Sequence, residues 1–263
     1  MKIAFISDIH GNLSSLKAAL KETEKHSVDL VVSLGGLVHY GPNPSEVINF
    51  IEENDIECIQ GNCDRAIARN RTDTGENLSE EFANPHWRNI TADFYRWTTE
   101  QITKSQKKWL KNLPVDLRFQ VGKKTIHCVH GLPGDHSAEL PFEAASEVYD
   151  AILAKSGSSI VVCGATHTPS IIRRPLGLIL NPGSIGGGTV PSGGTIMILT
   201  FPEEGEPEVE TLKYDYDVEE MKQTYDDIGI GKIFFDCIKL GRDQRGQWHS
   251  DNPKMRQQWA KLT

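Results

Sequence analysis

Cysteine is scarce in this chain and is never paired at short spacing. The 263 residues include five cysteines, and no two of them form a C-x-x-C pair. Zinc ribbons and thioredoxin-like redox sites need such pairs, so the sequence excludes both classes. Cys58, Cys128 and Cys163 lie in or beside apolar segments, and Cys237 lies in another. We therefore expect free, buried thiols that pack as small hydrophobic side chains.

Basic charge and long hydrophobic runs are also lacking. The formal net charge is −8 at pH 7, whereas general nucleic-acid binders present basic faces to the phosphate backbone. No stretch approaches the roughly 20 apolar residues of a membrane span, and the chain starts with a core-type strand instead of a signal-peptide pattern. The sequence thus predicts no general nucleic-acid binding, no membrane association and a cytoplasmic location.

Phosphate-binding glycine loops are absent as well. Residues 183–194 are rich in glycine, but no G-x-G-x-x-G opens a helix there. The pattern G-x-x-x-x-G-K-[ST] occurs nowhere in the chain. These absences exclude the common nucleotide-binding loops, and we expect residues 183–194 to form a turn that leads into a strand.

What the chain does contain is a series of polar residues placed where predicted strands end. The first is Ser-Asp-Ile-His-Gly-Asn at residues 7–12, directly after the apolar residues 3–6. Open α/β sheets bind their ligands beyond the carboxyl ends of buried strands of this kind. In extended backbone Asp8 and His10 would point the same way, so that a carboxylate oxygen and an imidazole nitrogen could hold one divalent ion. Alone, this D-x-H pattern is a weak signal.

Four further segments repeat this placement in a fixed order. Residues 30–34 lead into Gly-Gly at 35–36, 56–59 into Gly-Asn-Cys-Asp at 61–64, 125–129 into His-Gly at 130–131, and 160–163 into Gly-Ala-Thr-His at 164–167. The whole order resembles the signature of the calcineurin-like metallophosphoesterases, and most closely their small prokaryotic branch with G-N-C-D. The resemblance covers residues 3 to about 200. It implies an α/β fold, a four-layer α-β-β-α sandwich of two mixed sheets flanked by helices.

The resemblance also implies an activity and a set of site residues. The reaction would be hydrolysis of a phosphomonoester, phosphodiester or nucleotide by water that divalent metal ions activate. Cys63 stands where many relatives have a histidine that protonates the leaving group, and Asp64 would orient groups around it. The implied metal ligands are Asp8, His10, Asn62, His130 and His167.

Two ligand positions of the family pattern carry residues that cannot bind a metal. Gly36 stands where relatives have an aspartate that bridges two ions, and Ala165 stands where they have a histidine that binds the second ion. Two divalent ions about 4 Å apart repel by roughly 20 kcal/mol at an effective dielectric of about 20, and anionic bridges offset this. We therefore expect one occupied site more readily than two, and manganese, iron, nickel and zinc all suit the ligands.

Three residues near these motifs have alternative interpretations. His39, three residues beyond Gly36, would either replace part of the lost coordination or contact substrate or solvent from a loop. His127 is an odd number of residues from His130, so a core or supporting role suits it better than a ligand role. Asp64 would either orient the site or cap a helix that begins near Arg65.

The rest of the chain fits a single domain over residues 1–263. Helices are predicted over residues 13–25, capped by Asn12, and over residues 44–53, opened by proline. A helical insertion at about 65–114 carries three tryptophans, and it either shapes substrate choice or packs into its own small core. From about residue 241 the chain is a polar tail that would dock on the body or on a second subunit.

Two functions are consistent with the sequence. The first is a metal-dependent phosphoesterase with a depleted second metal site, acting on a small phosphorylated substrate or a nucleotide. The second is a catalytically silent relative that binds a phosphorylated ligand or a protein partner. Survival of five ligand-type side chains favours the first hypothesis, and loss of the bridging carboxylate favours the second.

Overall fold

A computed structural model describes residues 1–71, 85–187, 190–229 and 231–241, except for the side chains of residues 85–89. The ten strands are β1 (Lys2–Ile6), β2 (Leu30–Ser33), β3 (Glu57–Cys58), β4 (Asp116–Val121), β5 (Lys124–Val129), β6 (Ile160–Cys163), β7 (Pro169–Arg174), β8 (Gly177–Pro182), β9 (Gly193–Thr200) and β10 (Glu208–Asp215). The helices are α1 (Leu13–Lys25), α2 (Pro44–Glu53), α3 (Asn62–Ala68), α4 (Pro85–Gln101), α5 (Lys104–Asn112), α6 (Ser146–Ser156), α7 (Lys222–Ile228) and α8 (Lys232–Leu240), with a 3-10 turn at Glu219–Met221.

The strands form two five-stranded mixed sheets. The first has the order β10-β9-β1-β2-β3, in which β1, β2 and β3 are parallel and β9 is antiparallel to β1 and β10. The second has the order β4-β5-β6-β8-β7, with a parallel centre and antiparallel edges. This confirms the predicted pair of mixed sheets flanked by helices.

Side chains alternate between two cores along β1. Ile3 and Phe5 face the second sheet, where they pack against residues such as Ile126 of β5. Ala4 and Ile6 face the helices that cover the outer side of the first sheet. Because successive side chains of a strand point to opposite faces, one apolar strand fills both layers.

The helices that follow β1 and β2 begin where the sequence predicts. Asn12 caps α1 because its side-chain oxygen accepts the Ser15 amide at 2.9 Å, and the helix starts at Leu13. Helix α2 starts at Pro44, where the missing amide hydrogen costs nothing. Both helices pack on the first sheet and close the parallel crossovers.

Helix α4 joins the carboxyl-terminal helices in a separate apolar cluster. Phe94 packs there with Tyr40, Tyr225 and Phe234, and Trp97 lies against the cluster. Trp109 of α5 packs instead against the main core, so the tryptophans of the predicted insertion do not share one core. The side chain of Trp87 and the predicted polar tail beyond residue 241 lie outside the described residues.

The expectation of free, packed thiols is confirmed for Cys58, Cys128, Cys163 and Cys237, and Cys63 is free and buried as well. Along the described part of the chain, each helix is too short or too polar to cross a membrane.

Candidate metal centre

The segment after β1 positions Asp8 and His10 by a turn and not by extended backbone. Both residues have left-handed backbone angles, with φ of 54° and 49°. Their amides donate to the carbonyls of Gly35 and Gly36 at 2.9 and 2.7 Å, so the loop after β2 holds this conformation. The two side chains do lie close together, but the reason given, two-residue periodicity of an extended chain, is wrong.

Asp8, His10 and His167 form a buried cluster of potential metal ligands. One ligand atom from each lies within 4.8 Å of the others. Nε2 of His10 lies 2.9 Å from Nε2 of His167, and Oδ1 of Asp8 lies 3.8 and 3.6 Å from these nitrogens. Ligand atoms on one divalent ion are roughly 3 to 3.5 Å apart when bonds are about 2.0–2.2 Å, so the cluster has the right size.

Burial keeps the imidazole of His10 available as a ligand. It lowers the pKa of His10 well below the ordinary value of 6.5, and His167 acts in the same direction. The neutral ring keeps a lone pair, and Nδ1 lies 3.4 Å from the Val38 carbonyl, which leaves Nε2 to face the cluster. A neutral imidazole is the form that binds metals.

The loop after β6 supplies His167 and also orients Asp8. Ala165 and His167 again have left-handed backbone, with φ of 66° and 59°. The Ala165 amide donates to Oδ2 of Asp8 at 3.1 Å, so Oδ1 is the oxygen that lies near the two imidazoles. Ala165 lacks the histidine side chain of the family pattern, but its backbone amide orients Asp8.

The side chains of Asn62 and His130 contact each other, and this pair is called the second position below. Nδ1 of His130 lies 2.7 Å from the Leu34 carbonyl, which can only accept, so Nδ1 carries a hydrogen. Nε2 of His130 lies 3.2 Å from Oδ1 of Asn62, and that oxygen also accepts the Cys63 amide at 2.6 Å. Two acceptor atoms thus face each other, and either a proton on Nε2 or a cation beside both atoms relieves their repulsion.

A match to a known family model identifies the family. Residues 1–204 match the calcineurin-like phosphoesterase superfamily domain. The chain belongs to this superfamily. A metallophosphoesterase from Sphaerobacter thermophilus has 24% identity and a TM-score of 0.68, with 92% of this chain and 99% of that structure covered. A hypothetical protein from Pyrococcus horikoshii has 23% identity and a TM-score of 0.72, with 92% and 98% covered. Both likenesses show the fold.

A curated relative from an archaeon gives no further functional detail. An uncharacterized protein of Methanocaldococcus jannaschii is 26% identical over 183 residues, which cover 70% of this chain and 69% of the relative. Membership of the superfamily implies divalent metal binding, and the cluster of Asp8, His10 and His167 is the candidate site for it.

Asp64 connects the G-N-C-D motif of this superfamily member to the loop after β2. Its Oδ1 accepts the amides of Leu37 and Val38 at 2.8 and 3.1 Å, and its Oδ2 accepts those of Gly36 and Gly61 at 3.0 and 2.7 Å. Burial raises the pKa of Asp64, and the amide donors oppose this shift. Helix α3 begins at Asn62 and not near Arg65, so one carboxylate caps the helix and also holds the loop.

Cys63 faces helix α4. Its sulfur accepts a hydrogen bond from the Tyr95 hydroxyl at 3.1 Å, and the side chain packs in the core beside Ile67. Only 4% of Cys63 is exposed. Its role as a proton donor to the leaving group stays a prediction.

Gly36 leaves no room for the family's bridging aspartate in this conformation. A Cβ atom on Gly36 would lie 2.6 Å from Oδ1 of Asp8 and 3.0 Å from its Cα, and the backbone φ is +69°. A side chain there therefore requires Asp8 or the loop to move. The Asp8 side chain occupies space that an aspartate side chain at position 36 would need.

His39 and His127 lie outside the three-residue cluster. His39 is fully buried, so the interpretation of a solvent-facing loop histidine is wrong. Its ring stacks on Tyr95 with centroids 3.7 Å apart, and neither nitrogen has a hydrogen-bond partner in the described part of the structure. His127 bonds to Ser156 and Asp116 at 2.9 and 3.0 Å, which confirms its predicted place in the core.

His136 lies close to His130 and is not among the residues that the sequence predicts for the site. It lies in the turn after β5, with its ring centroid 5.9 Å from that of His130. Burial lowers its pKa to about 4, and His130 adds to this effect. The signal in the sequence is a histidine shortly after the His-Gly pair at residues 130–131, and the motif order alone does not include it.

Proposed function

We propose that the protein is a metal-dependent phosphoesterase whose metal ion is held by Asp8, His10 and His167. The observation that carries this proposal is the convergence of three buried ligand atoms within 4.8 Å at the ends of β1 and β6. The substrate is a phosphomonoester, a phosphodiester or a nucleotide, and manganese, iron, nickel and zinc suit the mixed ligands. When bound, the ion supplies Lewis acidity and makes hydroxide available near neutral pH.

The protein prepares this site through its backbone and its burial. The Ala165 amide holds one oxygen of Asp8, and the Val38 carbonyl orients His10, so that the remaining ligand atoms need little rearrangement. The exposed fraction of Asp8 is 1% and that of His10 and His167 is 2%. Charge interactions in such a water-poor site are stronger than in bulk solvent, which favours binding of a cation and of the phosphate group on it.

Under our proposal, this chain binds the second metal ion of the family more weakly than a relative with a complete set of ligands. Asn62 and His130 remain, whereas Gly36 and Ala165 bring no ligand atoms from their side chains. We infer that Asp64 is a positioning residue for the loop after β2, and that Cys63 is a weaker proton donor than an imidazole would be. Turnover is then expected to be low compared with a complete two-ion site.

The alternative function is a silent relative that binds a phosphorylated ligand or a protein partner. The crowding at Gly36 favours it, because Asp8 occupies space that a bridging carboxylate would need. This alternative keeps the fold and the first metal position but predicts no hydrolysis.

Hydrolysis of bis-p-nitrophenyl phosphate and p-nitrophenyl phosphate with added Mn²⁺ tests the proposal. We expect turnover that disappears with EDTA and in Asp8→Asn, which keeps the size of the side chain but removes its charge. The control is His26→Gln, because His26 lies at the end of α1 away from the cluster. Turnover of Asp8→Asn at the unmodified rate would overturn the proposal. A chain that binds Mn²⁺ and hydrolyses neither compound would support the silent relative.

A further inference from the structure

The ring of His136 presents a buried lone pair beside the second position. The ring hydrogen-bonds to the Gly61 backbone, and its Nε2 is buried without a hydrogen-bond partner among the described residues. The bond favours the protonated ring, so its partner is the Gly61 carbonyl, which can only accept. Among the described residues, Nε2 has no hydrogen-bond partner and is left as a ligand atom.

Two other histidines around the site hold Nδ1 toward a backbone carbonyl. Nδ1 of His130 lies 2.7 Å from the Leu34 carbonyl, and Nδ1 of His10 lies 3.4 Å from the Val38 carbonyl. A carbonyl that holds Nδ1–H fixes the ring with Nε2 as the ligand atom, and this is the usual support of a metal-binding histidine. The Gly61 carbonyl, next to Asn62 in the chain, also interacts with the His136 ring.

The atoms at the second position are all acceptors. Oδ1 of Asn62 is oriented by the Cys63 amide and lies 3.2 Å from Nε2 of His130. The rings of His130 and His136 have centroids 5.9 Å apart. Two imidazoles that share an ion lie about 4.5 to 6.5 Å apart when metal–nitrogen bonds are about 2.0–2.1 Å, so one ion can reach both rings.

We propose that Asn62, His130 and His136 form a second, weaker site for a divalent cation, in which His136 replaces ligands that Gly36 and Ala165 do not supply. This inference rests on the proposed metal-dependent function and deepens it. All three ligands are neutral, whereas the first site contains the Asp8 carboxylate, so the second ion binds less tightly than the first. Arg65 and Asp135 act on the His136 ring in opposite directions, and neither belongs to the ligand set.

Titration of the full chain with Mn²⁺, followed through the electron paramagnetic resonance signal of the free ion, tests this inference. The unmodified chain should show a tight class and a weak class of binding, one ion each. His136→Gln should raise the dissociation constant of the weak class by at least about tenfold and leave the tight class unchanged. The control His26→Gln, which removes a histidine at the end of α1, should leave both classes unchanged.

The outcomes separate this inference from the proposed function. Asp8→Asn should abolish the tight class of Mn²⁺ binding. A tight class that survives in this variant would contradict the proposed first site. A single class in the unmodified chain, or two unchanged classes in His136→Gln, would overturn the role of His136 while the first site stands.

Imidazole nitrogen spectra of the unmodified chain make the test independent of how His136→Gln folds. During titration with Zn²⁺, two imidazoles should shift with the first equivalent and two others with the second. A second equivalent that shifts only one imidazole would contradict the inclusion of His136, because Asn62 supplies no imidazole.

Discussion

Replacing Asp64 by asparagine should destabilise the protein strongly although the two side chains have nearly the same shape. Each carboxylate oxygen of Asp64 accepts two backbone amides, from residues 37 and 38 on one side and from residues 36 and 61 on the other. Asparagine has one oxygen, so two of the four amides lose their acceptor in either orientation. A buried donor without a partner costs about 1–3 kcal/mol, which gives about 2–6 kcal/mol for the pair.

Desolvation of the carboxylate reduces this cost. Burial raises the pKa of Asp64, which means that the folded protein already spends free energy to keep the charge. Asparagine avoids that penalty, and we therefore expect a loss of about 2–4 kcal/mol in the free energy of unfolding.

Urea unfolding in EDTA measures this loss without a contribution from metal binding. The matched control is Asp93→Asn, because Asp93 is a half-exposed residue of α4 that pairs with Arg96 in the same helix; its unfolding midpoint should hardly change. In Asp64→Asn the midpoint should fall with an unchanged slope, and Mn²⁺ affinity should fall as well because residues 36–38 also hold His10. A loss below about 1 kcal/mol would refute the reasoning, since four amides would then not depend on the carboxylate.

Three further variants probe the site and its supports. Gly36→Asp should lower the melting temperature more than Gly122→Asp. Both positions have left-handed backbone, but the new Cβ would meet Asp8 at position 36 and nothing within 4 Å at position 122. Equal shifts of the melting temperature would contradict the crowding at Gly36. The pKa of His136 is about 4 in the folded protein and near 6.5 in the unfolded chain, so the stability without metal should fall as the pH drops from 6.5 to 4. The fall should be smaller in His136→Gln. An equal pH dependence of the melting temperature in both proteins would contradict this. Asn12→Ala should cost about 1 kcal/mol in urea unfolding through loss of the α1 cap, and an unchanged midpoint would show that the cap is dispensable.

The sequence predicts the sheets and the grouping of ligands because both depend on local patterns. Apolar runs of strand length followed by polar residues mark strand ends, and parallel strands bring these ends to one edge. That argument needs no knowledge of side-chain contacts. Together with the family resemblance, it groups Asp8, His10 and His167, which lie together in the structure although they come from segments far apart in the chain.

The conformation of the loops at this edge could not be predicted in the same way. The turn at Asp8 and His10 depends on carbonyls of Gly35 and Gly36, which come from another strand connection. The contact of His136 with the Gly61 backbone likewise joins two loops. Such contacts depend on tertiary packing, so neither the left-handed turn nor the position of His136 follows from spacing.

Backbone strain around the cluster indicates that the site is built in advance of metal binding. Asp8, His10, Ala165 and His167 all have left-handed backbone, which costs a non-glycine residue about 1–3 kcal/mol and persists only where neighbours hold it. The neighbours are identifiable: carbonyls of the loop after β2 hold Asp8 and His10, and Asp64 holds that loop in turn. Since the strain is met in folding, a metal ion does not have to supply it on binding. Under our proposal, the glycine at position 36 and the alanine at position 165 therefore weaken the second position without dismantling the first.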